Sequence, residues 1–316
     1  MTVQRQAGSM QQLLYPSPFH LEDAWQVICE NKNRNCSQQE IDILIAKEIL
    51  NRIDIEILRV LGELGFVNTY NITSALTYRL PETYQKESYQ RNFRKMVRAG
   101  LLMKYSIRTG DASGYRYASP MHFYSLTPGA QSYMEPHIPT LFPKRLVLSH
   151  PRMINCLSIS QVLIQFLRNC PEGYTVHPMS CRHIGGHAIV LDGLIRGSNC
   201  GDLFKKPLQV ILVSMRDSSA SLSKFSDRLL EAQKAARLDS RKYSSIIVFV
   251  TESLPAIRLL SETEHSIDRG AYFDIPVYYT YDMLSNAPLF KSLFKGVYAP
   301  DGSFSIERVE LMLDNT

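Results

Sequence analysis

Apolar and polar positions alternate with a helical period through the first third of the chain and with a shorter period beyond it. Ser37, followed three residues later by Glu40, has capping-box spacing ahead of IDILIAKEIL and predicts a helix start there. Asp54 is read as the cap of a second helix that carries Ile57, Leu58, Leu61 and Leu64 on one face, with Gly62 and Gly65 marking its end. Asn71 to Leu80 predicts a third, short helix, capped by Asn71 and closed by Pro81. Thr83 to Gly100 is the most polarised stretch. At about 100° per residue, Tyr89, Met96 and Val97 fall within roughly 60° of Phe93, which predicts a core-facing side. Arg91, Arg94, Lys95 and Arg98 fall on the opposite side, with Ser88 beside them, and nothing acidic follows Glu87 in the helix. Gly100 has the place of a C-terminal helix stop. LLMKYSIR then reads as a strand, TGDASG as a turn, and HFYSL as a second strand.

The rest of the chain has a different texture. Residues 136–151 are rich in proline and read as a linker, and Ile154 to Leu167 is an apolar helix. HAIVLDGLI, PLQVILVSM and SSIIVFV read as strands, with a long helix from Ser221 to Leu238 before the last of them. Pro255 opens a short helix, PVYYTYDML supplies a further strand, and LFKGVY and SFSIERVELML read as a peripheral helix and strand. The expected organisation is α+β. Residues 1–36 are a flexible arm, with Phe19 to Cys29 able to form a short helix; residues 37–135 form a first domain and 152–316 an α/β domain. Three helices, the third basic, followed by a two-stranded ribbon, is the order of a winged helix-turn-helix.

Composition narrows the classes. The 316 residues, 45% hydrophobic and 21% charged, describe a globular protein with room for two cores. The longest apolar runs are too short to cross a bilayer and Met1 to Gly8 lacks a hydrophobic signal core, so no membrane partner and a cytoplasmic location are expected. The six cysteines, Cys29, Cys36, Cys156, Cys170, Cys181 and Cys200, show no CxxC spacing and read as reduced thiols. Net charge adds more. Between Asn51 and Met134 there are 11 Lys and Arg against 6 Asp and Glu, an excess that equals the whole chain's +5. A basic first domain joined to a neutral second one points to a polyanion, and a helix with one cationic face suits the major groove of DNA. The DNA-binding candidates are Ser88, Arg91, Arg94, Lys95 and Arg98 on the helix, and Arg108 and Arg116, with Lys104 as a further cation, on or beside the wing.

Val97, Ala99, Gly100, Leu101 and Leu102, and then Tyr124, Leu126, Thr127, Pro128 and Gly129, resemble the winged-helix segment of the replication-relaxation family, bacterial proteins linked to plasmid replication and plasmid DNA relaxation. HPRMINCLSISQVLIQFL, with His150 and Asn155, resembles the helix that opens the family's second domain, and the likeness covers about Ile55 to Thr251. The resemblance implies a second domain similar to the PD-(D/E)xK nuclease core. Such a core needs an Asp on one strand and an acid-Xaa-Lys on the next, since two carboxylates bind Mg²⁺ and the lysine supports the attacking water. Asp192 has the place of the first Asp, but Ser214 and Arg216 replace the acid and the lysine, and Asp217 alternates to the other face. The expectation is a degenerate nuclease-like domain with no catalytic residue, no metal and no cofactor.

Two other constellations read as structure. Cys181, His183 and His187, with Gly185 and Gly186 between the histidines, read as a polar loop before a strand, not as metal ligands. The tyrosines near Tyr115 and Tyr278 lack the histidine cluster of a metal-dependent strand-cleaving enzyme and read as strand packing. The expected function is sequence-specific binding of double-stranded DNA at an origin of replication or transfer on a plasmid or integrative element. The expected partners are replication or conjugation proteins, or a second copy of the chain. The alternatives are a winged-helix transcriptional regulator and a Mg²⁺-dependent nuclease or relaxase acting at the origin.

Overall fold

A computed structural model describes residues 25–31, 35–81, 86–109, 121–138, 142, 148–169, 173–184, 187–197, 206–216, 223–267, 274–281 and 288–311. It is a mixed α and β structure with, among the described residues, eight α-helices and two sheets. The first half contains β1 (Trp25–Cys29), α1 (Gln38–Ala46), α2 (Arg52–Leu64), β2 (Val67–Asn68), α3 (Thr69–Arg79), α4 (Lys86–Arg98), β3 (Leu102–Thr109), β4 (Met121–Leu126) and α5 (Pro128–Met134). Its four strands form one sheet in the order β1-β3-β4-β2, antiparallel throughout.

Local chemistry sets the helix boundaries. Ser37 caps α1 and exchanges hydrogen bonds with Glu40, as its spacing predicts. In α2 the N-cap is Asn51, and Asp54 is its partner three residues on, so Asp54 completes a capping box instead of capping alone. In α3 the cap is Asn68, whose side chain accepts from the Asn71 N–H. The start lies earlier than expected because Val67 and Asn68 are held extended against Tyr124 and Phe123 of β4, which leaves Asn68 at the point where the chain turns into helix.

Gly100 stops α4 with φ +76°. Its N–H bonds to the Val97 carbonyl, and the Leu101 N–H to the Met96 carbonyl, which is the Schellman pattern; Leu101 and Met96 are both buried beneath it.

The N-terminal arm departs from expectation. Trp25 to Cys29 is a strand, not a helix, and pairs with β3 from Trp25 opposite Thr109 to Cys29 opposite Tyr105. The β-branched Val27 and Ile28 suit a pleated edge, and Val27 packs with Tyr105, Ile107, Met121 and Phe123. Asn31 continues the pairing with its side chain, donating to the Leu102 carbonyl at 2.7 Å and accepting from the Lys104 N–H at 2.7 Å.

The second half contains α6 (His150–Arg168), β5 (Tyr174–Ile184), β6 (His187–Gly197), β7 (Leu208–Ser214), α7 (Phe225–Leu238), β8 (Ser244–Thr251), α8 (Leu254–Ser266), β9 (Val277–Tyr281), β10 (Leu293–Tyr298) and β11 (Phe304–Val309). Its seven strands follow one another in spatial order from β5 to β11. β5, β6 and β7 form an antiparallel meander, β8 and β9 run parallel to β7, and β10 and β11 return antiparallel. Two expectations are corrected here. Tyr174 to Ile184, read in part as a polar loop, is an eleven-residue edge strand. LFKGVY, read as a helix, is β10.

Strand alternation divides the core. Val210 and Leu212 pack on the side of α6, whereas Ile211 and Val213 pack on the side of α7 and α8 with Phe225, Phe249 and Ile257. Helix α6 is buried along most of its length, its polar Ser158, Ser160, Gln161 and Gln165 included. Its Ile159, Val162 and Leu163 belong to the same apolar cluster as Leu61 and Leu64 of α2 and Leu76 of α3, so the hydrophobic core runs without a break from the first half into the second. Phe142, in the proline-rich stretch, lies against Gly65 and donates its N–H to the Gly62 carbonyl at 2.7 Å.

Gly65 has φ +79°, and a Cβ there would stand 2.2 Å from the Phe142 ring. Gly65→Ala therefore combines a left-handed backbone with a clash, and the expected loss of stability is about 2–3 kcal/mol in urea unfolding. An alanine variant as stable as the wild type would show that Phe142 is not held at this position.

Candidate nucleic-acid interface

The cationic helix α4 is fixed by contacts on two of its sides. Phe93 stacks on Tyr124 of β4 with ring centroids 5.0 Å apart and planes 13° from parallel. Tyr89, Met96 and Phe93 are buried. On the other flank, Asn92 and Lys95 turn toward the start of α2. Asn92 donates to Asp54 Oδ1 at 2.8 Å, and Lys95 is ion-paired to Asp54 and donates to the Ile49 carbonyl at 2.9 Å. Asp54 is 0% exposed, and its other oxygen also accepts the Asn51 N–H.

This polar anchor leaves the wheel's core side in place but withdraws Lys95 from the outward set. A wheel built on apolar residues alone sets Lys95 among the outward cations, but a buried carboxylate is a stronger attractor for an ammonium than solvent-facing space. Lys95 therefore serves as a positioning residue. The open side is left to Gln90, Arg91, Arg94 and Arg98, all exposed and spaced so that they form one stripe along the helix. The side chains of Ser88 and Arg108, and Arg116 as a whole, lie outside the described residues.

Beside the stripe, a groove of about 460 Å³ separates α4 from the sheet, with Gln90, Arg94 and Arg98 on one wall and Lys104 and His122 on the other. Glu30, just past β1, reaches into it. Its carboxylate pairs with Lys104 at 2.7 Å and stands 3.7 Å from His122 Nδ1. Burial alone would raise the Glu30 carboxyl, but the bond with Lys104 and the neighbouring positive charges hold it below the usual carboxylate range. Burial lowers the His122 imidazole, and the Lys104 charge adds to this, outweighing the pull of Glu30 in the other direction. These surroundings favour the neutral imidazole, and at 3.7 Å the two groups are beyond hydrogen-bond range.

In the second half, the positions compared with a nuclease site are occupied differently. Asp192 on β6 accepts the Ser214 N–H at 2.8 Å and is ion-paired to Arg228 of α7. Arg216, after β7, donates to Glu252, after β8, at 3.1 Å. The guanidinium of Arg228 meets the carboxylate that would have served a cation, and Ser214 contributes a buried backbone N–H instead of an acid. The Cys156 thiol is pushed up by burial and then by the Asp192 charge, so it is a protonated, inert core group. Asp217 lies outside the described residues, and among those described no group of three His, Cys, Asp or Glu comes together as a metal site. Arg228 and Glu252 were not legible from sequence, because their partners are each 36 residues away and no motif spacing joins them.

The backbone of Cys181, His183 and His187 belongs to the β5–β6 hairpin, where the register sets Cys181 opposite Val190, His183 opposite Ala188 and His187 opposite Ile184; their side chains lie outside the described residues. Tyr278 lies within β9, and the neighbouring Tyr279 is buried, its hydroxyl donating to Glu264 at 2.8 Å. Tyr115, Cys170 and Cys200 lie outside the described residues. No helix among the described residues is long and apolar enough to cross a membrane.

Two predictions follow from this geometry. Lys95→Met leaves a fully buried carboxylate without its counter-charge, and the expected loss is about 3–5 kcal/mol in denaturant unfolding, against less than about 1 kcal/mol for Arg94→Met on the open stripe. Equal effects of the two substitutions would show that Lys95 is not an anchor. The second concerns pH. Glu30 and His122 both have folded values below their unfolded ones, so each favours the folded state when deprotonated, and the folded chain binds fewer protons than the unfolded one. The stabilisation from His122 is complete above pH 6.5 and that from Glu30 above pH 4.5; each is lost as pH falls through the lower folded value. Hydrogen exchange of residues 26–31 should therefore accelerate, relative to α2, between pH 7 and pH 4 after correction for intrinsic rates. Constant relative protection across that range would contradict the assignment.

No protein-family model matches the chain, and no curated protein or solved structure shows significant similarity to it.

Proposed function

We propose that the protein binds double-stranded DNA through α4 and acts at an origin of replication or transfer on a plasmid or integrative element by bringing partner proteins to it. The observation that carries the reading is the stripe of Gln90, Arg91, Arg94 and Arg98, open along a helix whose opposite sides are locked by Asp54 and Tyr124. A rigid helix with guanidinium groups on its free side suits the major groove, where arginine reads guanine edges and phosphates fix the register. The order α2-β2-α3-α4-β3-β4, with β2 beside β4 and β4 beside β3, fits a winged helix-turn-helix whose recognition helix is α4.

The second half supports binding in preference to cleavage. A helix, a three-stranded antiparallel meander, a second helix and a parallel strand, here α6 to β8, fits the nuclease-like core that the resemblance to the replication-relaxation family implies. Its Asp192 is neutralised by Arg228, which removes the negative charge that a Mg²⁺ site would need. On this reading the domain is a scaffold for assembly, and the origin is where the resemblance in Val97 to Leu102 and Tyr124 to Gly129 directs the DNA-binding activity.

With three arginines at phosphates or base edges, log affinity should fall with log salt at a slope of about −2.7 from the helix alone, at roughly −0.9 per phosphate contact. The triple substitution of Arg91, Arg94 and Arg98 by Ala should remove that part of the slope, while Arg94→Ala alone should cost about 1–3 kcal/mol on the preferred site if it reads a guanine. Footprinting on the element that encodes the protein separates an origin from a promoter. Wild-type salt dependence in the triple variant would show that α4 does not face DNA, and Mg²⁺-dependent nicking of supercoiled DNA, abolished by Asp192→Asn, would replace the binding role with an enzymatic one.

A further inference from the structure

The groove between α4 and the sheet contains an arrangement that DNA binding by the stripe does not require. Among the described residues that line it, Arg94, Arg98, Lys104 and His122 supply positive or protonatable groups, and Glu30 is the one acid. Glu30 is placed there by β1: its own N–H bonds to the Lys104 carbonyl, and Asn31 clamps the same segment to Leu102 and Lys104. The carboxylate satisfies Lys104 at 2.7 Å but leaves His122 Nδ1 at 3.7 Å, beyond hydrogen-bond range, and that nitrogen is buried without a hydrogen-bond partner. The site holds more anion-binding capacity than its resident anion uses.

We infer that this groove is a phosphodiester subsite of the DNA interface and that Glu30 occupies it in the free protein as a stand-in for a backbone phosphate. The inference rests on the proposal that α4 faces DNA. A phosphate next to the helix, with oxygens directed to more than one side, meets Lys104, offers an acceptor to an Nδ1–H of His122 and leaves an edge toward Arg98, which a planar carboxylate on a short side chain does not. Glu30 has a consequence for selectivity. Any duplex that lays a phosphate in the groove must first displace a paired carboxylate, so weak, sequence-independent association is opposed, whereas a site that also engages Arg91 and Arg94 compensates for the displacement.

The test uses the full chain and a random-sequence duplex, with affinity measured by fluorescence anisotropy across a salt series. Glu30→Gln keeps an acceptor for Lys104 and removes the charge. It should bind about eightfold more tightly at 0.1 M salt, with a slope steeper by about 0.9, the amount expected for one added phosphate contact. Adding Lys104→Met should abolish both gains. Asn31→Ala loosens the same segment but keeps the carboxylate, so it separates loosening from charge and should not reproduce the gain. Unchanged or weaker binding by Glu30→Gln overturns the subsite while the wild type still binds with a steep salt slope. An equal gain in Asn31→Ala, or a gain that survives Lys104→Met, also overturns it. Absence of duplex binding by both the wild type and Glu30→Gln overturns the DNA reading and the subsite together.

Discussion

The buried carboxylate of Asp54 is the constraint on which the orientation of α4 depends. A carboxylate with no solvent exposure is costly unless it is surrounded by donors, and Asp54 has three: the Asn51 N–H, Asn92 and Lys95. Two of these come from α4, so satisfying the acid sets the helix's rotation about its own axis. Hydrophobic packing alone would fix it less well, because an apolar stripe tolerates a rotation of some tens of degrees, whereas an ammonium and an amide directed at one carboxylate do not. The same device recurs on α2. Glu56 and Glu63 receive Arg79 from the end of α3 at 2.9 Å and 2.5 Å, so both neighbouring helices hang from acids on one scaffold helix. Such pairs contribute little net stability over an apolar substitute, but they fix orientation.

Much of this was legible in the chain, and the failures have a common cause. Elements whose evidence is local, such as the Ser37–Glu40 capping box, the Gly100 stop and the apolar strand SSIIVFV, appear where the pattern predicts them. The errors fall where a residue's role is decided by something distant. Asn68, Asn71, Asn51 and Asp54 are all chemically able to cap; which one does so depends on where a strand or a facing helix holds the chain. WQVIC became an edge strand because β3 had a free side to offer. Tyr174 to Ile184, with a proline and several polar residues, has no strand signature of its own, yet as an edge strand it pairs on one side only, where Pro178 is tolerated.

The second half repeats the principle with a different outcome. Asp192 stands on a strand next to β7, as its sequence position predicts, but its chemistry is determined by Arg228, which arrives from α7. A guanidinium is a permanent, directional cation, so its pair with the carboxylate fastens helix to sheet. Arg216 and Glu252 make a parallel fastening between the ends of β7 and β8.

Charge counting along the sequence does not distinguish paired cations from open ones. The excess of five positive charges between Asn51 and Met134 treats every lysine and arginine as equivalent, but Arg59, Arg79 and Lys95 are paired within the fold and Lys104 is paired with Glu30 from outside the counted segment. Those pairs produce almost no field at a distance. What distinguishes the surface is that Arg91, Arg94 and Arg98 share one face of a helix that internal pairs have already fixed, so their charges add along a single line. The field at the surface follows that line, not the average charge of the domain, because the acids of α2 are paired inside the fold.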